Sequence, residues 1–244
     1  MAKQGEIDYL KNIGAGGIAH AIRKPFSDAD CGPLLAEIAA VMSLLPPPPA
    51  RLLDLGCGTG WTSAFFARRG YQVVGQDISE DMIRCANMIK DKEQLDNLEY
   101  VMCDFENMNF DCEFDCAVFF DSLHHSVNEE EAIRMVYKAL KPGGVCITSE
   151  PGKGHERDPK AVEAVRKYNV TEKDMPPRKI IRLGKKAGFR KFRVFPHAKF
   201  LNGRLYRYQN ANSLERFVSF IRNLVAVVLL LLGTRYDGIV LMIK

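Results

Sequence analysis

At 244 residues, 47% hydrophobic and 26% charged, the chain has the composition of a globular protein and excludes a disordered or collagen-like polymer. Seven cysteines, odd in number and without a Cys-x-x-Cys pair, exclude a disulfide framework and a zinc ribbon and point to reduced thiols in the cytoplasm; the polar start, Met1 to Asp8, is no signal peptide. The net charge of +4 hides a split, because residues 153–208 carry 17 Lys or Arg against 5 Asp or Glu, which suits either an anionic partner or a solvated basic face.

In chain order, residues 1–49 read as a helical lead-in. Gly14-Ala15-Gly16-Gly17 is expected to be a loop. Leu34, Leu35, Ile38, Val41, Met42 and Leu45 fall at helical spacing, with Asp28 or Asp30 available as a cap and Pro46 to Pro49 as the stop. Leu52 to Leu55 then reads as a buried parallel strand, followed by Gly56, Gly58 and Gly60 and a helical pattern from Trp61 to Arg69. Strand, glycine turn and helix start make a site where free backbone N–H groups meet an anion. The spacing departs from the dinucleotide fingerprint, since Trp61 stands where that pattern needs its last glycine.

Three further strands end in acids. Tyr71 to Gln76 leads to Asp77, whose carboxylate can accept both hydroxyls of a ribose, and Ser79 is the expected cap of the next helix. Leu98 to Cys103 leads to Asp104 and Phe105. Phe114 to Phe120 reads as the central strand and points Asp121-Ser122-Leu123-His124-His125 into the crevice above the sheet. Adjacent histidines cannot share one helical face, so this pair by itself is not expected to hold a metal.

Ile133, Val136, Tyr137 and Leu140 mark a helix closed by Lys141-Pro142-Gly143-Gly144, and Val145 to Glu150 the next strand. Glu150 and His155 are ionisable candidates on the loop that follows. Residues 160–176 read as helix and turn, Ile180 to Ala187 as a helix and Phe189 to Phe195 as a basic strand. An insertion covers 199–236. Its helix, 213–232, is apolar all round from Leu224 to Leu232 but too short to span a bilayer, and is read as buried, dimer-forming or lying on a membrane surface. Asp237 to Ile243 is the closing strand.

Taken in this order, the stretches from 50 to 150 resemble the class I, Rossmann-like S-adenosylmethionine (SAM) methyltransferases. Asp121-Ser122-Leu123-His124-His125 resembles the small-molecule group of the ubiquinone-biosynthesis type. The resemblance implies one doubly wound α/β domain over 1–244. It has a mostly parallel seven-stranded sheet with an antiparallel last strand, helices on both faces, a SAM-binding core at 50–150 and a substrate-side half at 151–244. It implies a cofactor set of Asp54, Gly56, Cys57, Gly58, Thr59 and Gly60 at the methionine end, Asp77 with Ile78 at the ribose, Asp104 with Phe105 at the adenine, and Asp121, with S-adenosylhomocysteine as product and no metal. His124, His125 and His155 are the candidate catalytic bases for a small hydroxyl acceptor. Such families fold their N-terminal segment over the cofactor, which marks His20, Arg23 and Phe26 as acceptor-side candidates. The Asn/Asp-Pro-Pro-Tyr and Pro-Cys sequences of base-modifying relatives are missing, so nucleic acid is not favoured. Two alternatives stay open: a methyltransferase acting on RNA or another polyanion, and a non-catalytic SAM-binding subunit that docks through Phe217 to Leu232.

Overall fold

The computed structural model describes residues 2–205, 221, 224, 225, 227, 228, 231, 232, 234 and 237–244. Its centre is a seven-stranded sheet in the order β3-β2-β1-β4-β5-β7-β6. The strands are β1 (Arg51–Leu55), β2 (Gln72–Asp77), β3 (Leu98–Met102), β4 (Phe114–Phe120), β5 (Leu140–Ser149), β6 (Lys191–Phe195) and β7 (Ile239–Ile243). The first five pair with one another in parallel, and β7 slots between β5 and β6 antiparallel to both, as the resemblance implied.

Side-chain alternation along each strand sorts the core into two layers. Leu53, Leu55, Ala117 and Phe119 face α6 (Glu129–Ala139) and α8 (Pro177–Ala187), packing with Ile133, Val136 and Leu183. Leu52, Cys116, Val118 and Phe120 face α3 (Cys31–Leu44) and α4 (Trp61–Arg69), packing with Ile38, Val41 and Phe66. Helices on both faces explain why β1 and β4 are apolar on both sides. The remaining helices are α1 (Ala2–Asn12), α2 (Gly14–Ile22), α5 (Glu80–Glu93), α7 (Pro159–Tyr168) and α9 (Ala198–Leu205).

The chain runs outward from β1 to β3, then returns to lay β4 on the other side of β1. Such a reversal opens a crevice at the carboxyl ends of β1 and β4.

Three local expectations are corrected. The glycines at 14–17 open helix α2 rather than a loop. Lys141 to Gly144 belong to the first half of β5, where a register shift opposite Phe114 and Cys116 absorbs them. Ser79 precedes α5 without a side-chain cap bond, and its hydroxyl donates instead to the Ile7 carbonyl of α1 at 2.9 Å. The apolar segment 213–232 lies mostly outside the described residues. Among the described residues, no helix is long and apolar enough to cross a membrane.

The basic segment is partly neutralised at home. Lys173 and Lys179 meet Glu129 at 2.8 and 2.7 Å, and Lys186 meets Glu130 at 2.8 Å, both acids lying in the first turn of α6.

Candidate active site

Beyond β1 the backbone turns through Gly56 and Gly58 at φ of 68° and 54°, a region glycine enters freely. A Cβ on Gly56 would also meet Ser122 Cβ at 2.5 Å. The amides of this loop are used inside the protein. Gly56 and Cys57 donate to the Gln76 carbonyl at 2.8 and 2.9 Å, Gly58 donates to Asp77 Oδ2 at 2.9 Å, and Gly60 donates to the Cys57 carbonyl at 2.9 Å. The expected nest of free N–H groups is therefore corrected at these four positions. The loop is stapled to the end of β2, and the group it presents is the Asp77 carboxylate. Burial lifts the Asp77 pKa, against the pull of the backbone donors from Ser79 and Gly58.

A cavity of about 290 Å³ occupies the crevice. Eight of the expected cofactor residues and catalytic candidates line it: Gly56, Gly58, Asp77, Ile78, Asp104, Phe105, Asp121 and His125. Asp121 holds a positive φ of 49°, an uncommon conformation for a residue with a side chain, at the point where β4 turns into the crevice. Asp104 accepts from the Glu106 amide at 3.1 Å and from Asn107 Nδ2 at 3.0 Å, which fixes the turn carrying Phe105. The Phe105 ring stands edge-on to Phe119 of β4, their centroids 5.5 Å apart.

Asp54, Cys57, Thr59 and Gly60 do not line the cavity. Asp54 is 1% exposed and accepts from Thr62 Oγ1 at 2.7 Å and Ser63 Oγ at 2.6 Å, while burial pushes its carboxyl up to about 6. The Thr59 hydroxyl donates to the Ala21 carbonyl at 2.7 Å, and Gly60 packs under Tyr100, whose hydroxyl donates to its carbonyl at 3.3 Å. Cys57 is buried. These four support the loop from behind.

The cover comes from α1, and here the sequence reading looked too far along the chain. Lys3, Glu6 and Tyr9 line the cavity, at i, i+3 and i+6 on one helical face, and Lys24 joins them. Lys3 pairs with Asp104 and, at 2.7 Å, with Glu106. Glu6 Oε1 accepts from the Thr171 amide at 2.7 Å. Tyr9 meets Tyr168 edge-on with centroids 5.3 Å apart, and Lys11 reaches Asp81 at 3.2 Å. His20 pairs with Asp28 at 3.4 Å and Phe26 is exposed; neither they nor Arg23 line the cavity. The missed signal was the periodicity of polar residues in α1, with Gly5 and Leu10 as buried members of the helix.

After β4, the turn Leu123–His125 sets two imidazoles with centroids 4.0 Å apart. His124 is buried, and its Nδ1 lies 2.7 Å from Glu150 Oε2. Glu150 is itself buried, accepting from the amides of Ser122, Leu123 and His124 at 3.0, 2.8 and 3.2 Å, so it orients the turn and cannot contact an acceptor. Burial alone would raise the Glu150 pKa, but the contact with His124 and these amides hold it low. His125 Nδ1 donates to the Thr171 carbonyl at 2.7 Å and stands 3.5 Å from Glu6. Burial would lower its pKa, yet Glu6 and Glu172 outweigh burial and raise it to about 9. His155 lies behind the cavity wall, bonded through Nε2 to Glu172 Oε2 at 2.6 Å. Glu172, missed at sequence level, lines the cavity between the histidines.

Residues 53–148 match the family model described as a methyltransferase domain. The ubiquinone/menaquinone biosynthesis C-methyltransferase of Pseudomonas entomophila is 36% identical over 148 residues, which cover 59% of this chain and 52% of that protein. The chain thus spans about half the length of the curated relatives it matches. The solved phosphoethanolamine N-methyltransferase 2 of Haemonchus contortus, in complex with phosphomonomethylethanolamine and S-adenosylhomocysteine, superposes with a TM-score of 0.68 at 20% identity over 98% of this chain and 60% of that one. A SAM-dependent methyltransferase from Mesorhizobium loti superposes at 0.59 with 19% identity, over 86% of this chain and 98% of that one. At these identities the structural likeness speaks for the fold. Sheet and family match agree: residues 53–148 match a methyltransferase domain, and the seven-stranded sheet is that of the Rossmann-like methyltransferase fold.

Proposed function

We propose that the protein transfers the methyl group of SAM to a small organic acceptor. The observation that carries this reading is the meeting of Asp77, Asp104 with Phe105, and Asp121, from the ends of three strands, in one cavity at the crevice between β1 and β4. Asp77 takes the ribose hydroxyls, since each of its oxygens uses one lone pair on a backbone amide and keeps another. Asp104 takes the adenine amine while Phe105 packs on the ring. Gly56, Gly58 and Asp121 border the methionine end. Asp54, Thr59 and Gly60 hold the loop in place.

The reaction is an in-line displacement at the sulfonium methyl. The sulfonium is already a good leaving group, so the protein contributes mainly position and orientation. A hydroxyl acceptor must also lose its proton, and the carboxylates of Glu6 and Glu172, which line the cavity beside His125, are the groups placed to receive it. Glu6 and Glu172 on the acceptor wall, together with the lysines already paired along α6, favour a compact acceptor over a polyanion such as RNA. The seven unpaired cysteines suit a reducing cytoplasm.

The test is a transfer assay with methyl-labelled SAM and a fractionated cell extract. Label is expected among the small molecules or lipids. Label confined to nucleic acid or protein would overturn the small-acceptor reading, and failure to bind SAM in calorimetry would overturn the whole.

A further inference from the structure

We propose that His124, His125 and Glu172 form a site for one divalent transition-metal ion of the zinc class, with an open coordination position on the cavity. One ring nitrogen of each histidine and one carboxylate oxygen of Glu172 lie within 4.8 Å of one another. His124 Nε2 and Glu172 Oε2 are 3.5 Å apart. A tetrahedral ion with bonds of about 2 Å sets its ligands roughly 3.3 Å apart, so this edge is already close to the required length.

The partners of these three side chains carry the argument further than proximity does. The two histidines are each held at Nδ1, and His155 holds the same Glu172 oxygen that faces His124 Nε2. Glu150 Oε2 sits on His124 Nδ1 at 2.7 Å, the Thr171 carbonyl accepts from His125 Nδ1 at 2.7 Å, and His155 Nε2 bonds Glu172 Oε2 at 2.6 Å. Metal-bound histidines usually donate their second ring N–H to a carboxylate or carbonyl in this way, which fixes the tautomer and leaves Nε2 its lone pair. Three backbone amides clamp Glu150, so the His124 ring is set rigidly.

Two imidazoles and a carboxylate are a donor set for zinc, iron, cobalt or nickel rather than for magnesium or calcium, which prefer oxygen throughout. Three protein ligands leave the fourth position for a substrate atom. His125 and Glu172 line the cavity while His124 lies behind them, so that position opens where the acceptor lies. The acceptor class follows, resting on the methyltransferase reading: an acidic hydroxyl of the phenol or enol type. Coordination lowers its pKa, and the O–H proton passes by way of the Glu6 carboxylate to water. The freed electron pair, on oxygen or on the conjugated carbon, forms the bond to the methyl carbon. The methyl–sulfur bond breaks, and its electrons neutralise the sulfonium to give S-adenosylhomocysteine.

The full-length protein, freed of metal by chelator, is titrated with Zn²⁺ in a calorimeter and with Co²⁺ followed by visible absorption. The expected result is one equivalent bound and the ligand-field bands of a four-coordinate Co²⁺. Affinity should fall at least tenfold in His124→Gln and in Glu172→Gln and stay unchanged in His20→Ala, a partly exposed histidine far from the cluster in sequence. Glu172 stands on a loop, so its variant keeps the test valid if His124→Gln fails to fold. Absence of stoichiometric binding, or equal affinity in Glu172→Gln, overturns the site. SAM binding is measured on the same metal-free sample. SAM bound with no uptake of Zn²⁺ or Co²⁺ in the titration removes this proposal and leaves the methyltransferase reading standing; metal taken up with no binding of SAM does the reverse.

Discussion

On the proposed cofactor side of the cavity, Asp77 ends β2 while Asp104 and Asp121 follow β3 and β4, three strands of one parallel array. On the proposed acceptor side, Glu6, His125 and Glu172 come from a helix, a short turn and a loop; the bond from the Thr171 amide to Glu6 joins residues 165 apart in sequence. The first wall is positioned by backbone pairing and inherits the stiffness of the sheet. The second is positioned by side-chain bonds and ion pairs, several of them partly open to solvent and each therefore worth little alone. The position of the strand-end acids is thus a property of the fold, whereas the side that the proposal gives to the acceptor can be retuned by single substitutions.

Damage to the shared foundation should erase the distinction altogether. Phe119 is fully buried in β4 and backs Phe105. Phe119→Ala should cost about 3–5 kcal/mol in urea denaturation and weaken both walls together. A loss below about 1 kcal/mol would show that the sheet is not the stiff element.

A buried ion pair joins the late part of the chain to the core and should have the next largest effect. His197 Nδ1 meets Glu37 at 2.5 Å, both fully buried, while Glu37 also accepts from Ser149 Oγ at 2.7 Å and from the Lys199 amide at 2.9 Å. His197→Gln leaves that carboxylate without its cation and should cost about 3 kcal/mol at neutral pH. Burial would depress the His197 pKa, but Asp237 and Glu37 outweigh it and raise it to about 9. Because the folded value lies above the ordinary one, the stabilisation is complete below the ordinary pKa and fades as pH rises through about 9. The Tm gap between the protein and the variant should therefore narrow from about pH 6.5 to about pH 10. A gap constant over that range contradicts the assignment.

On the cofactor wall, Asp77→Ala should weaken SAM binding at least tenfold, about 1.4 kcal/mol, with an unchanged circular dichroism spectrum. Unaltered affinity in calorimetry would detach Asp77 from the cofactor. The smallest effect belongs to the cover. Lys3 is about one-third exposed, so Lys3→Ala should change stability by less than about 1 kcal/mol and SAM affinity by a few-fold at most. A loss as large as that of Asp77→Ala would mean that α1 belongs to the cofactor wall.

The same contrast explains what could be read in advance. An apolar run, a glycine turn and a terminal acid are local patterns, and parallel strands deliver their ends to one edge whatever the loops do. Asp77, Asp104 and Phe105 were legible for that reason. Asp54 and Thr59 belong to the same motif yet face away, because strand and turn geometry, rather than residue type, decides which side of the loop meets the cavity. Glu172 carried no local signal. It follows α7 in an irregular segment, and only the return of that segment over the turn at 123–125 brings it to His124. Ser79 looked like a cap, and the arrival of α1 gave its hydroxyl a different acceptor.

By itself the sequence determined the strands, the glycine turn and the acids at the strand ends, because periodicity and turn chemistry act over a few residues; the seven-stranded sheet and its antiparallel closing strand followed from the family resemblance. Tertiary structure alone decided which residues close the cavity and what surrounds the two histidines. Those contacts join segments up to 165 residues apart, and side chains that meet across such distances need share no pattern along the chain.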